Sequence, residues 1–448
     1  MSGLGFVGPA GNGTRGGVVV LALCWLAGCN VSWGGLPPGP ATADQDRQWR
    51  QQIIQDFFVP EPLPPLEART HRRFRPAPGV KAEGVTYNTQ FGVRVPALLY
   101  LPDPLPASGS GKIPGLIVVN GHGGDKYCWY SWYAGILFAR AGAAVLTYDQ
   151  AGEGERNRDH KSGSRAHDAI RGDAVLAREL AGLMITDVRQ AASYLAQRPE
   201  VAPGRLAAMG YSLGSFVVAL TGAVEPRLRA CVLVGGGNLD GPGGYWDSSS
   251  KKMCQALPYQ SLSFLGDRGA VIYALNAARG PSLIYNGLGD SVVGIPGHGP
   301  AFFADLRERV RVLRGSSVNL FEVGFAPTNA SHRPYFLTRP VVEWLEKQID
   351  FPNWTEAQIH VLPESRISLW AQENGVTLDK LYATEEREGG TLALGDDVPG
   401  YAPESLNVFP RDEWETCKGK FILETWIQTA ETNALAAGAA ARSSPAGR

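Results

Sequence analysis

The chain has 448 residues and a formal net charge of −1, with 44% apolar and 19% charged residues. These proportions are those of a globular protein with a large core, and they exclude a disordered chain. A balanced charge gives no overall field that would attract nucleic acid, so no nucleic-acid partner is predicted. The length suffices for one large catalytic domain with additions, or for two ordinary domains.

Residues 1–28 have the features of an export signal. Arg15 is the only charge before a short apolar run, which ends in Leu-Ala-Gly-Cys at residues 26–29. A basic start, an apolar segment and small residues before a cleavage point are typical of secretion, and the run is too short to span a bilayer. Leu-Ala-Gly-Cys resembles the lipobox of bacterial lipoproteins. The resemblance implies lipid on Cys29 and an exported protein anchored at the bacterial cell envelope; ordinary secretion is the alternative.

Residues 29–79 are predicted to be a tether and an N-terminal segment. The tether is rich in Gly, Pro and Ala, and residues 48–58 have the apolar spacing of a short amphipathic helix. From residue 84 the apolar residues alternate on both sides of a turn at 90–92, which predicts an antiparallel hairpin. The continuous apolar run at 116–119 is typical of a strand buried on both faces.

Strand and helix patterns alternate beyond this point. Predicted strands lie at 144–148, 206–209, 230–234, 282–285 and 318–323, and predicted helices at 126–140, 174–197, 215–224, 270–278, 301–313 and 341–348. An initial hairpin followed by alternating strands and helices predicts an α/β fold with a mostly parallel, doubly wound sheet.

The alternation defines the predicted domain boundaries. Residues 80–350 are predicted to form one catalytic domain. Residues 351–430 are predicted to be a C-terminal appendage packed on it, with candidate helices at 363–374 and 421–429. Residues 431–448, rich in Ala, Gly and Ser, are predicted to be a disordered tail.

The turn Gly210-Tyr211-Ser212-Leu213-Gly214 is the strongest candidate for chemistry. It lies between the strand at 206–209 and the helix at 215–224. Gly-x-Ser-x-Gly in that position indicates a nucleophile elbow, in which a tight turn exposes the serine hydroxyl at the carboxyl end of the sheet. Ser212 would also lie at the start of a helix whose dipole favours negative charge.

A serine needs a base that takes its proton and an acid that orients the base. Asp290 follows the strand at 282–285, and His332 lies between the last predicted strand and the last helix of the domain. The order Ser, acid, His is the order expected after a nucleophile elbow. His298, eight residues beyond Asp290, is the alternative base and is interpreted as a loop residue.

Two backbone N–H groups are expected to stabilise the oxyanion of the tetrahedral intermediate. One belongs to Leu213, directly after the nucleophile. The second is assigned to the Gly-rich loop at 120–126, where small residues let the backbone approach a substrate. His122 and Gly123 both remain candidates for this donor, and the His122 side chain is interpreted as structural.

No metal site and no cofactor are predicted, because the chain lacks Cys-x-x-Cys and His-Glu-x-x-His. After removal of the signal, Cys128, Cys231, Cys254 and Cys417 remain, and their spacing does not determine whether any two pair. Glu153, Glu155 and Arg156 are interpreted as a solvated ion network in a loop. The aromatic residues at 127–133 are interpreted as core.

These motifs together resemble the α/β-hydrolase superfamily. Within it, residues 80–350 are similar to dienelactone-hydrolase-like and acetyl-xylan-esterase-like secreted bacterial esterases, a likeness carried also by residues 149–156 and 332–336. The resemblance implies a serine hydrolase that cleaves carboxylic esters through an acyl-enzyme, with deacetylation of polysaccharide as one expected activity. It also implies that residues 236–279, which interrupt the alternation, form a cap whose Tyr245, Trp246 and Tyr259 either contact substrate or pack the insert.

Two differences from related families narrow the predicted activity. Dienelactone hydrolases have cysteine in the position of Ser212, which argues against that activity. Glucuronoyl esterases have arginine in the position of Leu213, and its absence here argues against an ester of a sugar acid as the substrate. A serine peptidase of the prolyl-oligopeptidase type is the second candidate, although residues 29–80 are too short for its propeller. A non-catalytic surface binding protein on a hydrolase scaffold is the third. The oligomeric state is left open.

Overall fold

The structure is a computed structural model that describes residues 39–106, 112–170, 173–277, 279–316, 320–326, 332–362, 390–391, 397–398 and 401–443. The predicted export signal, Cys29 and the candidate helix at 363–374 lie outside the described residues. No helix within the described ranges is long and apolar enough to cross a membrane.

A nine-stranded sheet forms the centre of the molecule, with strand order β1-β2-β3-β5-β4-β6-β7-β8-β9. Strands β1, β2, β3 and β5 pair antiparallel in that order, and every pairing from β5 to β9 is parallel. The predicted hairpin and the doubly wound, mostly parallel sheet are therefore confirmed. The strands are β1 Arg69–Ala77, β2 Val80–Asn88, β3 Arg94–Pro102, β4 Ile113–Val119, β5 Ala144–Tyr148, β6 Val201–Tyr211, β7 Leu228–Val234, β8 Ser282–Gly287 and β9 Phe321–Ala326.

Helices cover both faces of the sheet and divide the core into two large apolar clusters. One cluster lies under α3, α4, α6 and α7, and the other under α2 and α8. The helices are α1 Ala43–Asp56, α2 Trp129–Arg140, α3 Ala174–Gln197, α4 Leu213–Val224, α5 Leu257–Ser261, α6 Arg268–Ala277, α7 Ile295–Arg314, α8 Arg339–Ile349, α9 Glu356–His360, α10 Arg411–Cys417 and α11 Leu423–Ser443.

Local sequence accounts for the burial of β4 and for the start of α3. All seven residues of β4 are buried, because helices pack on both sides of it. Asp173 caps the start of α3: its carboxylate accepts hydrogen bonds from the backbone N–H groups of Val175 (2.9 Å) and Leu176 (3.0 Å).

Strand β1 and the C-terminal tail differ from the sequence-based expectation. Strand β1 was not predicted, because it is an edge strand in which arginine side chains interrupt the apolar alternation. Helix α11 continues to Ser443, across most of the tail that was expected to be disordered. Alanine has the highest helix propensity of all residues, so an Ala-rich segment can extend a helix that begins in contact with the core.

The C-terminal segment from residue 401 is anchored by two buried tryptophans. The side chains of Trp414 and Trp426 are fully buried, and the Trp426 indole N–H donates to Gln90 Oε1 at 3.2 Å. The backbone N–H groups of Val408 and Phe409 donate to the Glu155 carboxylate. The segment therefore contacts the loops at the carboxyl ends of the strands.

Candidate functional site

Ser212 occupies a strained turn between β6 and α4. Its backbone has φ 53° and ψ −116°, a combination that side-chain-bearing residues rarely adopt. A Cβ added at Gly210 would lie 2.1 Å from the Gly214 carbonyl oxygen, and one added at Gly214 would lie 2.2 Å from the Val119 carbonyl oxygen. Only glycine fits at these two positions, so the Gly-x-Ser-x-Gly pattern is a steric requirement of the turn.

Hydrogen bonds from neighbouring elements hold this turn. The Ser212 backbone N–H donates to the Val234 carbonyl at the end of β7 (2.8 Å), and the Ser212 carbonyl accepts from the Ser215 hydroxyl (2.7 Å). The Ser212 side chain lies at the start of α4, and the residue is 7% exposed. A largely buried hydroxyl next to a helix N-terminus is well placed to react with a ligand that displaces water.

His332 and Asp290 form a hydrogen-bonded pair beside this serine. His332 Nδ1 lies 2.8 Å from Asp290 Oδ2, and Asp290 is fully buried in the turn after β8. The other Asp290 oxygen accepts from the backbone N–H groups of Val292 (3.0 Å) and Val293 (3.4 Å). With Nδ1 donating to the carboxylate, the lone pair of the imidazole lies on Nε2.

The Nε2 atom of His332 is buried and has no hydrogen-bond partner within the described part of the chain. The ring lies against Tyr211, the residue before the serine, with centroids 5.0 Å apart. Ser212 and His332 line one cavity. The imidazole is thus oriented by an acid and retains a basic nitrogen in the neighbourhood of the serine.

His298, the alternative base, has a different partner. Its Nε2 lies 3.2 Å from Asp240 Oδ2, and its Nδ1 lies 3.1 Å from the Gly294 carbonyl oxygen. Burial lowers the pKa of His298, but these two bonds outweigh burial and raise it. It lies within α7 and not in a loop as expected, because α7 begins at Ile295, six residues before the predicted start.

The Gly-rich loop after β4 lies directly against the serine. A Cβ on Gly121 would be 3.4 Å from the Ser212 Cβ. The N–H of Gly121 donates to the Tyr130 hydroxyl (2.9 Å), and that of Gly124 donates to the Gly121 carbonyl (2.8 Å). The N–H groups between them, those of His122 and Gly123, have no hydrogen bond within the described residues, which keeps both as candidate oxyanion donors beside Leu213.

The network of Glu153, Glu155 and Arg156 is buried, so its interpretation as solvated was wrong. Lys126 Nζ lies 2.8 Å from Glu155 Oε2 and 2.5 Å from Asp149 Oδ2, and Arg156 pairs with Asp187 at 2.5 Å. The C-terminal segment covers Glu155, and the sequence of the loop alone contains no sign of that cover. Carboxylate partners compensate the charges of Lys126 and Arg156, as burial of a charge requires. The Glu153 carboxyl group instead accepts from the backbone N–H groups of Ser164 and Arg165.

Burial changes the acidity of the carboxyl groups beneath the loop. Burial, followed by the nearby charge of Asp125, raises the pKa of Glu153 to about 8. Burial and the charge of Asp149 likewise raise the pKa of Asp125 to about 7. For Lys126 the attraction of Asp149 and Glu155 outweighs burial and raises the pKa of the ammonium group. The lysine therefore stays charged under the Gly-rich loop.

A cavity of about 760 Å³ opens at Ser212, and most of the residues that line it have a polar group in the side chain. Of the three aromatic residues of the insert for which both roles were open, Tyr245 lines the cavity, whereas Trp246 and Tyr259 are fully buried in the packing of the insert. Sequence reasoning missed Arg165 and Lys251, since neither belongs to a motif. The lining residues are His122, Arg165, Ser212, Tyr245, Ser248, Ser249, Ser250, Lys251, Gln255, Val292, Val293 and His332.

Comparison with solved structures identifies the fold. A methylesterase structure aligns over 84% of this chain and 71% of its own, with a TM-score of 0.51 and 20% identity. The chain has the α/β-hydrolase fold. Acetyl xylan esterase 1 from Thermoanaerobacterium sp. aligns with a TM-score of 0.44 and 17% identity over 71% of this chain and 96% of its own. A glucuronoyl esterase from Solibacter usitatus aligns with a TM-score of 0.46 and 14% identity over 72% of this chain and 98% of its own.

At 20% identity or less, structural similarity shows the fold alone. The α/β-hydrolase fold that was inferred from the sequence is therefore confirmed. No family model matches the sequence, and a comparison with curated proteins finds no match. Within the α/β-hydrolase fold, Ser212 follows β6, Asp290 follows β8 and His332 follows β9. Ligands of such sheets bind at the carboxyl ends of the strands, where the cavity of this chain lies.

Proposed function

We propose that this chain is a serine hydrolase that cleaves carboxylic esters through an acyl-enzyme. The observation that supports it best is the His332–Asp290 pair, 2.8 Å apart: His332 lines the same cavity as Ser212, and its Nε2 has no hydrogen-bond partner in the described part of the chain. A buried imidazole with one nitrogen fixed by an acid is the arrangement that general-base catalysis needs.

The reaction would proceed in two halves. His332 Nε2 takes the Ser212 proton as the serine oxygen attacks the ester carbonyl, and the resulting imidazolium then donates that proton to the leaving alcohol. Water, deprotonated by the same imidazole, then attacks the acyl carbonyl and releases the acid, and the imidazolium returns the proton to the departing Ser212 oxygen. Asp290 holds the tautomer of His332, and the N–H groups of Leu213 and of His122 or Gly123 bind the oxyanion, each contributing roughly 10²–10³ in rate.

Covalent labelling tests the nucleophile. A fluorophosphonate probe should label the folded protein once, at Ser212, and Ser212→Ala should abolish both labelling and hydrolysis of an acetyl ester. Ser250→Ala is the matched control, because Ser250 lines the same cavity outside the elbow. Labelling at another residue, or an unlabelled wild-type protein with a normal circular-dichroism spectrum, would refute the assignment.

Acetylated polysaccharide is the substrate class that we favour. Hydroxyl, amide and cationic side chains (Ser248, Lys251 and Gln255 among them) line the cavity of about 760 Å³, and such groups can hydrogen-bond a sugar unit. Activity should therefore fall from acetyl to butyryl to octanoyl esters. Because Arg165 and Lys251 line the cavity, the glycan panel should compare neutral acetylated polymers with uronate-containing ones. Faster turnover of peptide amides than of acetyl esters would favour a prolyl-oligopeptidase-type peptidase instead, and binding without turnover would favour a non-catalytic protein.

We also propose that the protein is exported and anchored by lipid on Cys29, with the membrane contacted only through that lipid. The basis is the Leu-Ala-Gly-Cys sequence at residues 26–29. Cys29→Ser should shift the protein from the membrane fraction to the soluble fraction of the producing bacterium. Equal membrane association of both forms would contradict the anchor.

A further inference from the structure

Four potential metal ligands from three loops meet beside the cavity: His122, His167, Asp168 and Cys254. Their donor atoms all lie within 4.8 Å of one another. His122 belongs to the Gly-rich loop after β4, and His167 and Asp168 to a single turn at 166–169. Cys254 belongs to the helical insert at 252–256. Residues this far apart in sequence form no recognisable spacing motif, which is why the sequence predicted no metal.

The distances within the cluster are those of a compact donor set. His122 Nε2 lies 3.0 Å from Asp168 Oδ1, and His167 Nε2 lies 3.8 Å from the same oxygen. The two imidazole rings have centroids 4.9 Å apart. Ligand atoms about 2.0–2.3 Å from a tetrahedral ion are separated by about 3–4 Å, so only small side-chain movements would complete such a shell.

His167 points independently to a ligand. It is fully buried, its Nδ1 lies 3.2 Å from the Ala151 carbonyl oxygen, and its Nε2 has no hydrogen-bond partner among the described residues. The carbonyl fixes the tautomer, so that Nε2 carries a lone pair aimed into the cluster. Metal-bound histidines typically donate their other N–H to a backbone carbonyl or carboxylate in this way.

The two carboxylate oxygens of Asp168 have different partners. Its Oδ2 lies 3.3 Å from Lys251 Nζ, while its Oδ1 is the oxygen that both histidines approach. Cys254 contributes the fourth donor and is buried with no disulfide. His122 and Lys251 also line the open cavity, so an ion could reach the cluster from solvent.

We propose that His122 Nε2, His167 Nε2, Asp168 Oδ1 and Cys254 Sγ bind one divalent ion of the zinc class. Two imidazoles, one thiolate and one carboxylate are donors that favour tetrahedral Zn²⁺ over Ca²⁺ or Mg²⁺, which prefer oxygen. The ion would tie the Gly-rich loop to the insert and thereby position the backbone of His122 and Gly123. The proposal goes beyond the esterase function and does not depend on it.

Metal content tests the site directly. The purified chain, incubated with excess ZnCl₂ and then desalted, should retain about one zinc per chain, and zinc should raise its melting temperature. Cys254→Ser and His167→Gln should each lower the retained zinc at least about tenfold. Cys417→Ser is the matched control, since Cys417 lies in α10 outside the cluster, and should retain zinc like the wild type.

Cobalt substitution gives a second readout that needs no variant. Co²⁺ added to the zinc-free wild-type chain should produce the visible absorption of a tetrahedral ion and a thiolate-to-cobalt charge-transfer band. If Cys254→Ser folds, it should lack that band. No thiolate band in the wild type, or equal zinc in wild type, Cys254→Ser and His167→Gln, would overturn the proposal. Fluorophosphonate labelling of Ser212 is measured separately, so failure of the metal site and failure of the esterase assignment can be distinguished.

Discussion

At the scale of single residues, Asp290 is fixed by its own turn before it contacts the histidine. One carboxylate oxygen accepts from Val292 and Val293 N–H, and the other accepts from His332 Nδ1. The acid is completely buried, so water does not compete for these bonds. The side chain therefore has one orientation, and the tautomer of His332 follows from it.

Asp290→Asn should lower kcat for an acetyl ester by roughly 10⁴ while the protein remains folded. The amide oxygen can still accept from Val292 N–H, but the NH₂ group would then face Nδ1. The histidine would adopt the other tautomer, with a hydrogen on Nε2 and no base for the serine. Steady-state kinetics and the rate of fluorophosphonate labelling measure the effect.

Asp305→Asn serves as the control for this change, because Asp305 is exposed on α7 and pairs with Arg309 on the same helix. A loss of less than about tenfold in Asp290→Asn would mean that another acid orients His332.

At the scale of elements, the site depends on how closely α4 approaches the end of β4. A Cβ on Gly214 would lie 2.2 Å from the Val119 carbonyl oxygen and 2.5 Å from that of Asn120. Both atoms are backbone, so they cannot move aside as a flexible side chain would. Gly214, two residues after Ser212, thus sets the distance between α4 and the loop that carries the candidate oxyanion donors.

Gly214→Ala should reduce the free energy of unfolding by about 1–3 kcal/mol or more, because the added methyl group forces the helix away from the strand. Gly204→Ala is the matched control: a Cβ at Gly204 in β6 meets no atom within 4 Å. It should change stability by less than about 0.5 kcal/mol. Urea denaturation compares the two, and equal stability of both variants would contradict the packing argument.

At the scale of the whole molecule, the C-terminal segment completes the core under the candidate site. The Glu155 carboxylate accepts from Val408 and Phe409 N–H, and the indole N–H of Trp414 donates to the Glu155 backbone carbonyl at 3.0 Å. The His160 ring packs edge-on against Trp414, with centroids 4.8 Å apart. We therefore expect the segment and the sheet to unfold together.

The contact between His160 and Trp414 predicts a pH dependence of stability. Burial, followed by the charge of Lys126, lowers the pKa of His160 from 6.5 to about 4. Because the unfolded chain binds this proton more readily, the free energy of unfolding is undiminished above about pH 6.5 and falls as pH drops from there towards about pH 4. His160→Asn, which tolerates the positive φ of this residue, should remove this component.

Thermal melts between about pH 7 and about pH 4 test this expectation. The melting temperature of the wild type should fall more steeply over that range than that of His160→Asn. Parallel curves would show that His160 titrates alike in the folded and unfolded chains.

The candidate site shows what the order of strands makes predictable. The proximity of Ser212, Asp290 and His332 could be predicted because each follows a strand in a fixed order, and strand patterns are local. Their catalytic roles stay a prediction. Asp290 and His332 are distant in the chain, yet the parallel sheet brings the carboxyl ends of their strands together. Topology alone was enough to relate them.

The sequence by itself determined the α/β class, the antiparallel hairpin, the order of most strands and helices, and the turn that carries Ser212, because these depend on apolar period and on glycine sterics. Only the tertiary structure decided which loops meet beyond the sheet. It buried Glu155 under the C-terminal segment and brought Cys254 to His122 and His167. Contacts between loops leave no periodic trace in sequence, since they depend on how separate elements pack.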